Sequence, residues 1–323
     1  MLPATVRLLP ALFLTCALIL PATGRAAGHG AEASAAVNDI LRGHDVRSQI
    51  SRLQYLKAER SAAHLLASYV HGADLTTRRN IALALSFLAG PAELAPLGVL
   101  ADDADGAVRM YAATALGRAG PKAAEVLVPL LKDKTYGVRR EAVRALGRVG
   151  KPGDGKAVVP LLREEEELEV RLAALVALGE MKATRQKGLL LEALRSTSAA
   201  TRGSAARGLL LMNDPQGVAY ARERLAGADL AERLGGLELL EGLPLATVAP
   251  LLQPLLEDAV HRIRSGAALQ LAQAGEKRAR LWLIVAAHDA PPEDRSAYTR
   301  ALETLLVTEA ESNAVLRKAG RLK

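Results

Sequence analysis

The amino-acid sequence predicts an all-α protein, a right-handed α-solenoid of about nine stacked repeats that each contain two helices. Three observations support this fold class. The segments "AVRMYAATALGRAG", "GVRREAVRALGRVG" and "EVRLAALVALGEMK" are near-copies that follow one another at intervals of about 30 residues. Small and large apolar residues recur within them at helical spacing, and Gly-Pro pairs mark two of the turns. A period of this length is typical of proteins in which neighbouring helix pairs share one core.

Residues 1–26 have the layout of a cleaved secretory signal peptide. Arg7 precedes an apolar run over residues 8–20, and small residues follow it. The run is about 13 residues long, whereas a helix needs roughly 20 residues to span a bilayer, so a transmembrane anchor is the weaker interpretation. Threonine precedes Cys16 and the apolar run continues beyond it, which argues against a lipid anchor at this cysteine. We therefore expect a periplasmic or secreted protein.

The composition constrains the mature chain. Half of the residues are hydrophobic but only 3% are aromatic, so the core must consist mainly of Ala, Leu and Val, which suit closely packed helices. Removal of Arg7 and Arg25 with the signal lowers the formal charge from +7 to +5. The only cysteine, Cys16, is also removed, which leaves neither a disulfide nor a thiol nucleophile. We expect residues 27–44 to form a flexible leader and residues 45–323 to form the solenoid.

Each repeat is expected to begin with a helix that carries an arginine at a fixed position. These arginines are 30 to 32 residues apart: Arg79, Arg109, Arg139, Arg171, Arg202, Arg233, Arg264 and Arg295. In seven of the eight repeats a small residue follows three positions later, and in seven a leucine follows seven positions later, which places both on one helix face. Gly90-Pro91 and Gly120-Pro121 should end a first helix and begin a second one. Acids shortly before the arginines should cap the next first helix.

The segment "VRREAVRALGRVG" followed by "AVVPLLREEEE" resembles a HEAT repeat of the short class first named from phycobilisome lyases. The resemblance covers roughly residues 45–323 and is weakest at both ends, as terminal capping repeats require. It implies a helical solenoid, and the commonest role in this family is to bind other proteins along the curved surface. The resemblance alone does not determine a function.

No residue pattern indicates catalysis, a metal site or a cofactor. His64 and His71 are two helical turns apart, about 10 Å, which is too far to hold one ion together. The sequence lacks the "HE" pairs of HEAT-type metal hydroxylases, and it has no Gly-x-Ser-x-Gly elbow. "GKPGDGK" at 150–156 lacks the spacing of a phosphate-binding loop, and "EEEE" at 164–167 is interpreted as a solvated turn. We therefore expect no cofactor and no enzymatic activity.

The function that the sequence favours is an exported, non-catalytic scaffold that binds a partner protein on its solenoid surface. A pI near 9.6 also permits the alternative of an anionic polymer, nucleic acid or polysaccharide. The export signal, the interspersed acids and the scarcity of aromatic stacking groups argue against nucleic acid. An enzyme with this fold ranks third.

Two sets of basic residues are assigned different roles. The arginines at the fixed position are expected to pair with acids in the adjacent between-repeat turn and form a ladder that stabilises stacking, although they could instead line a groove. The candidate partner-binding site is a basic edge formed by the within-repeat turns: Lys122, Lys151, Lys156, Arg185, Lys187, Lys277, Arg278 and Arg280. Several of these residues lie at the start of second helices, where the helix dipole disfavours them, so attraction of an acidic partner is the expected reason for their presence. The between-repeat turns should form an acidic edge on the opposite side.

Overall fold

The computed structural model describes residues 24–163, 165 and 167–322. Within these ranges the chain forms helices joined by short turns, with no β-strand. The predicted α-solenoid is confirmed. The predicted signal peptide lies outside the described residues as far as position 23.

Nineteen α-helices are present in the described part of the chain. They are α1 Gly24–Arg42, α2 Val46–Tyr55, α3 Glu59–Ser68, α4 Leu75–Leu88, α5 Leu94–Ala101, α6 Gly106–Leu116, α7 Ala124–Leu130, α8 Tyr136–Val149, α9 Gly155–Arg163, α10 Leu168–Glu180, α11 Lys187–Ala193, α12 Ala199–Leu211, α13 Pro215–Leu225, α14 Leu230–Leu240, α15 Leu245–Leu252, α16 His261–Gln273, α17 Lys277–Asp289, α18 Arg295–Thr304 and α19 Glu309–Lys318. From α2 onward they form nine pairs, each with an even-numbered first helix and an odd-numbered second helix.

The first helices bury the face that their apolar spacing predicts. In α8, Val138, Ala142 and Leu146 are fully buried, and Ala174 and Leu178 occupy the corresponding positions of α10. The small side chains on this face let neighbouring first helices approach closely.

The closest approach is between α10 and α12. A methyl group added at Gly208 would lie only 2.7 Å from the carbonyl oxygen of Leu175, so only glycine fits this position. From α4 to α12 the first helices pack closely on one another, whereas successive second helices have few mutual contacts. The more closely spaced layer of a curved stack lies on its inner side, and the first helices therefore form the concave layer.

The turns largely follow the predicted chemistry. Short 3-10 segments that begin with Pro91, Pro121 and Pro152 precede the second helices. Asp105 caps α6 by accepting hydrogen bonds from the N–H groups of residues 107 and 108. Asp133 does not cap α8; it accepts from the N–H of Thr135 instead, within the preceding turn.

The expectation of a flexible leader over residues 27–44 is wrong. Most of this segment belongs to α1, in which Ala36, Val37 and Ile40 are at most 1% exposed. These side chains pack against α2, α3 and α4 and so cover the end of the solenoid. The physical reason is the high helix propensity of the alanine-rich segment, combined with apolar residues that recur on one helix face.

The hydrophobic core changes character at α12. One buried cluster extends from α1 to Ala205 and Leu209, and a second begins with Ala206 and Leu210 on another face of the same helix. Helix α14 packs mainly on α13 and has few contacts with α12. The close first-helix stacking of the N-terminal repeats therefore weakens between α12 and α14.

Candidate functional site

Arg109 forms the best-buried rung of the arginine ladder. Its guanidinium donates to both carboxylate oxygens of Asp133, at 2.7 and 2.9 Å, and the two side chains are 8% and 9% exposed. It also donates to the carbonyl oxygens of Asp103 and Ala104, at 2.8 and 2.9 Å. One arginine thus connects its own turn to the next turn. The hydrogen bonds with Asp133 raise the pKa of Arg109.

The same arrangement recurs in other repeats. Arg139 donates to both carboxylate oxygens of Glu165, at 2.5 and 2.7 Å, and to the carbonyl oxygen of Asp133. Two further members of the predicted set form ion pairs, Arg79 with Asp105 and Arg233 with Asp258.

The repeat that contains Arg79 has a second ladder residue, which the arginine spacing does not predict. Arg78 donates to Asp103 at 2.6 Å and to the carbonyl oxygen of Ala73, which is the pattern of Arg109. Arg79 is its more exposed neighbour and pairs with Asp105.

The ladder changes in the C-terminal half. Arg202 donates to the carbonyl oxygens of Ser196 and Thr197 in its own turn. Its next turn has Gly227 where Asp133 and Asp258 stand in other repeats. Arg264 donates to the Tyr298 hydroxyl instead of a carboxylate.

The two remaining arginines of the predicted set donate to carbonyl groups. Arg171 donates to the Glu165 carbonyl oxygen, and Arg295 donates to that of Ala290. Most arginines of the predicted set therefore form hydrogen bonds or ion pairs with a neighbouring turn. A role in lining a groove does not fit the contacts of Arg79, Arg109, Arg139 and Arg233.

The predicted basic edge is only partly available to a partner. Lys122, Lys151, Lys156, Arg185, Lys277 and Arg278 are exposed. Lys187, however, pairs with the buried Asp214 at 3.0 Å, and Arg280 donates to both carboxylate oxygens of Glu311 at 2.7 and 2.8 Å. These two residues connect neighbouring repeats.

Acids that the sequence analysis overlooked lie at the same edge. Asp154 accepts a hydrogen bond from the N–H of Lys151 at 2.8 Å, and Glu276 accepts from the N–H of Arg278 at 3.0 Å. The buried Glu93 accepts from the N–H of Gly90 in the corresponding turn. Each acid stabilises the start of a second helix, where the dipole favours negative charge. The predicted basic edge therefore also carries acids and is of mixed charge.

A groove on the concave layer, formed by α8, α10 and α12, is the stronger candidate site. This central groove has a volume of about 570 Å³, and its lining includes Arg144, Arg148, Glu169, Leu172, Val176 and Glu180. The α10 members lie on one face of that helix, opposite the face that is buried against the second helices. The sequence does not predict this face, because helical periodicity marks the buried side of a helix and leaves the other side unspecified.

At the end of the central groove that contains Arg148, not every basic side chain has an acidic partner. The Arg148 guanidinium lies against Gly117 of the preceding repeat, where a side chain on residue 117 would collide with it. Among the described residues, no hydrogen bond or ion pair holds Arg148. Arg118 donates to the Ser86 carbonyl oxygen. The pKa of Arg118 is lowered, first by desolvation and second by the positive charge of Arg148. Two guanidinium groups of like charge therefore lie near each other on the concave layer.

Glu180 is the acid nearest to this end of the groove. Its side chain keeps some solvent exposure, yet desolvation raises its pKa, and the charges of Arg148, Arg207 and Arg144 only partly oppose that change. The other acid of the groove, Glu169, is already paired with Arg140 at 2.6 Å. A ligand that brings negative charge would therefore meet little competition for Arg148.

A second groove, of about 590 Å³, lies between α14, α16 and α18. Glu238 and Glu241 face Arg262 and Arg300 in its lining, so its charge is balanced internally. His261 at its rim pairs with Asp294 at 2.6 Å. We therefore regard the central groove as the candidate site.

Comparisons with known proteins agree with this architecture. Residues 94–179 match the HEAT repeats family. The complex of CpcE and CpcF of phycocyanin lyase from Nostoc sp. PCC7120 is a similar solved structure, with 20% identity and a TM-score of 0.51, covering 75% of this chain and 94% of that chain. An engineered protein has 20% identity and a TM-score of 0.42, covering 89% of this chain and 87% of that one. Human deoxyhypusine hydroxylase has 21% identity and a TM-score of 0.35, covering 79% and 99%. No curated protein sequence matches this chain significantly.

These findings correct one prediction. The expectation that the protein is not an enzyme is not supported, because the phycocyanin lyase structure has the same fold. In the described part of the chain, no three metal-binding side chains are grouped around a common point, and no helix is both long and apolar enough to cross a bilayer. Residues 94–179 thus match HEAT repeats, and the described chain has the HEAT-like solenoid fold that its sequence predicts.

Proposed function

We propose that this chain is an exported repeat protein that binds another protein through the central groove. The observation that carries the proposal is the pairing of an apolar floor, Leu172 and Val176, with a guanidinium that no described residue holds, that of Arg148. Apolar contact contributes to affinity, and a charged group beside it fixes the position of the ligand.

A protein fits this surface better than a polyanion does. Nucleic acids and acidic polysaccharides are bound by continuous positive charge along a track. Here Glu169 and Glu180 interrupt the arginines, and the floor between them is apolar. The within-repeat edge is no better as a track, because Asp154, Asp214 and Glu276 interrupt its lysines. The similar lyase structure is itself a complex of CpcE with CpcF, which supports protein binding as a use of this fold.

Export is part of the proposal and is supported by residues 1–26. Fusion of residues 1–30 to a reporter that is active only outside the cytoplasm tests it. Reporter activity is expected, and it should disappear when Leu14 and Leu18 are both replaced by arginine. Activity confined to a cytoplasmic reporter would contradict export.

Photo-crosslinking tests the binding surface. A photoreactive amino acid is placed at Val176 in the groove and, as a matched control, at Val128, an exposed apolar residue of a second helix. In cells that make the protein, a discrete protein adduct is expected from position 176 and not from position 128. Equal adducts at both positions, or adducts sensitive to nuclease instead of protease, would contradict the proposal.

A further inference from the structure

Resting on the proposed function, we infer that Arg118 and Arg148 form a carboxylate-binding site, and that the partner segment is an extended acidic peptide whose next apolar side chain lies on Leu172 and Val176. The site belongs to three consecutive first helices: Arg118 follows α6, Arg148 ends α8, and the apolar floor belongs to α10.

The first step of the inference concerns charge. The Arg148 guanidinium lies against Gly117, the residue before Arg118, and no acid forms an ion pair with either arginine in the described part of the chain. Two neighbouring arginines present several N–H donors to an anion, and a carboxylate accepts such bonds with its two oxygens. The unpaired charges are therefore satisfied when an aspartate, a glutamate or a chain-terminal carboxylate binds.

The second step concerns preorganisation. The Arg148 side chain lies on Gly117, which has no side chain to displace it, and the Arg118 guanidinium is held by the Ser86 carbonyl oxygen. Because both groups are positioned before a ligand arrives, binding costs less side-chain entropy than it would with two mobile surface arginines.

The third step concerns spacing. The Arg148 guanidinium lies against Gly117 at the end of α6, whereas Val176 is on α10, two first helices further along. Neighbouring first helices are about 10 Å apart, and the resulting separation of about 20 Å corresponds to about six residues of extended chain at about 3.3 Å per residue. The partner segment should therefore carry Asp or Glu about six residues away from Leu, Val, Ile or Phe.

A peptide-display experiment tests the inference. A library of random twelve-residue peptides is selected on the immobilised mature protein, and the best peptide is synthesised with a fluorophore for anisotropy measurements. We expect enriched peptides to contain an acid about six residues from an apolar residue. Replacing that acid by its amide should weaken the Kd by about tenfold or more.

Matched variants locate the acid on the protein. Arg148→Ala should weaken the Kd as much as the amide peptide does, and the two changes together should add little more, because they remove the same contact. Arg185→Ala, at an exposed arginine of the within-repeat edge, should leave the Kd unchanged. Thermal melting should be nearly the same for both variants, since Arg148 has no hydrogen bond to lose.

Three results would overturn the inference. They are the absence of any enriched peptide, enriched peptides without an acid, and a Kd that Arg148→Ala changes by less than twofold. If peptides still crosslink at position 176 in the last two cases, the proposed function stands and only the carboxylate site fails. Binding of a labelled single-stranded DNA that depends on Arg148 and that disappears with modest salt would instead assign the arginines to a polyanion.

Discussion

The rung between Arg109 and Asp133 allows the arginine ladder to be tested quantitatively. Arg109→Met keeps most of the side-chain length and removes the guanidinium. The Asp133 carboxylate, 9% exposed, then retains only Thr135 as a hydrogen-bond partner. Removal of one member of a buried ion pair costs about 3–5 kcal/mol, and we expect a value near the lower end, about 3 kcal/mol, because the methionine can pack against apolar neighbours.

Arg79→Met is the matched control. Arg79 makes the same type of carboxylate contact, with Asp105, but its side chain is 49% exposed. Exposed ion pairs contribute less than about 1 kcal/mol, so this variant should be nearly as stable as the parent. The difference between the two variants isolates the effect of burial.

The pH dependence supplies an independent check. Burial raises the pKa of Asp133, but Arg109 and the N–H of Thr135 lower it by more, so the folded pKa is below the ordinary value of 3.8. The rung therefore stabilises the fold above pH 3.8, and its contribution decreases as the pH falls below that value. In the Arg109→Met variant, Asp133 stays buried but has lost the guanidinium, so its pKa rises. Lowering the pH should therefore reduce the difference in free energy of unfolding between the variant and the parent protein.

Urea unfolding followed by circular dichroism, at pH 7 and at about pH 3, measures these free energies. The reasoning is refuted if Arg109→Met is no less stable than Arg79→Met at pH 7. It is also refuted if the gap between Arg109→Met and the parent widens in acid.

Three further predictions concern packing and acid stability. Gly208→Ala should cost about 1–3 kcal/mol because its methyl group meets the α10 backbone. Gly203→Ala on the same helix, with no atom within 4 Å, should stabilise by up to about 1 kcal/mol, and equal thermal shifts for the two would contradict the close approach. Arg79 holds the pKa of Asp105 at about 2, so stability should fall from pH 4 to pH 2, and NMR titration should show a higher Asp105 midpoint in Arg79→Met. Leu146→Asp should unfold several repeats together, and a helical signal reduced by one repeat alone would count against a shared core.

The repeat pattern could be predicted from sequence because the same physical requirement recurs in each unit. Positions such as Ala142 and Leu146 must fit between two neighbouring first helices, so their size and spacing are constrained in every repeat. Register is less well determined: adjacent arginines satisfy the same pattern, and only the contacts show that Arg78, not Arg79, reaches the turn carbonyl in its repeat.

The candidate site was harder to predict for a related reason. Arg148 and Val176 come from different repeats, and their proximity depends on how successive first helices stack. The mixed charge of the within-repeat edge is not evident from the lysine positions alone. Asp154 and Glu276 lie only a few residues from the lysines in sequence and accept backbone hydrogen bonds at the same helix starts. A leader rich in small residues suggested flexibility, whereas the burial of Ile40 shows that it completes the core.

The missing acid at Gly227 has a mechanical consequence. A tensile load applied between the two ends of a solenoid passes through every between-repeat contact in series, so the weakest contact yields first. Arg202 donates to carbonyl oxygens of its own turn, and the buried apolar residues form two separate clusters that meet at α12. Under load, the contact between α12 and α14 would be among the first to yield, because the first helices from α4 to α12 pack more closely on one another than those that follow. The two concave grooves on either side of this contact would then change their separation with little loss of helix.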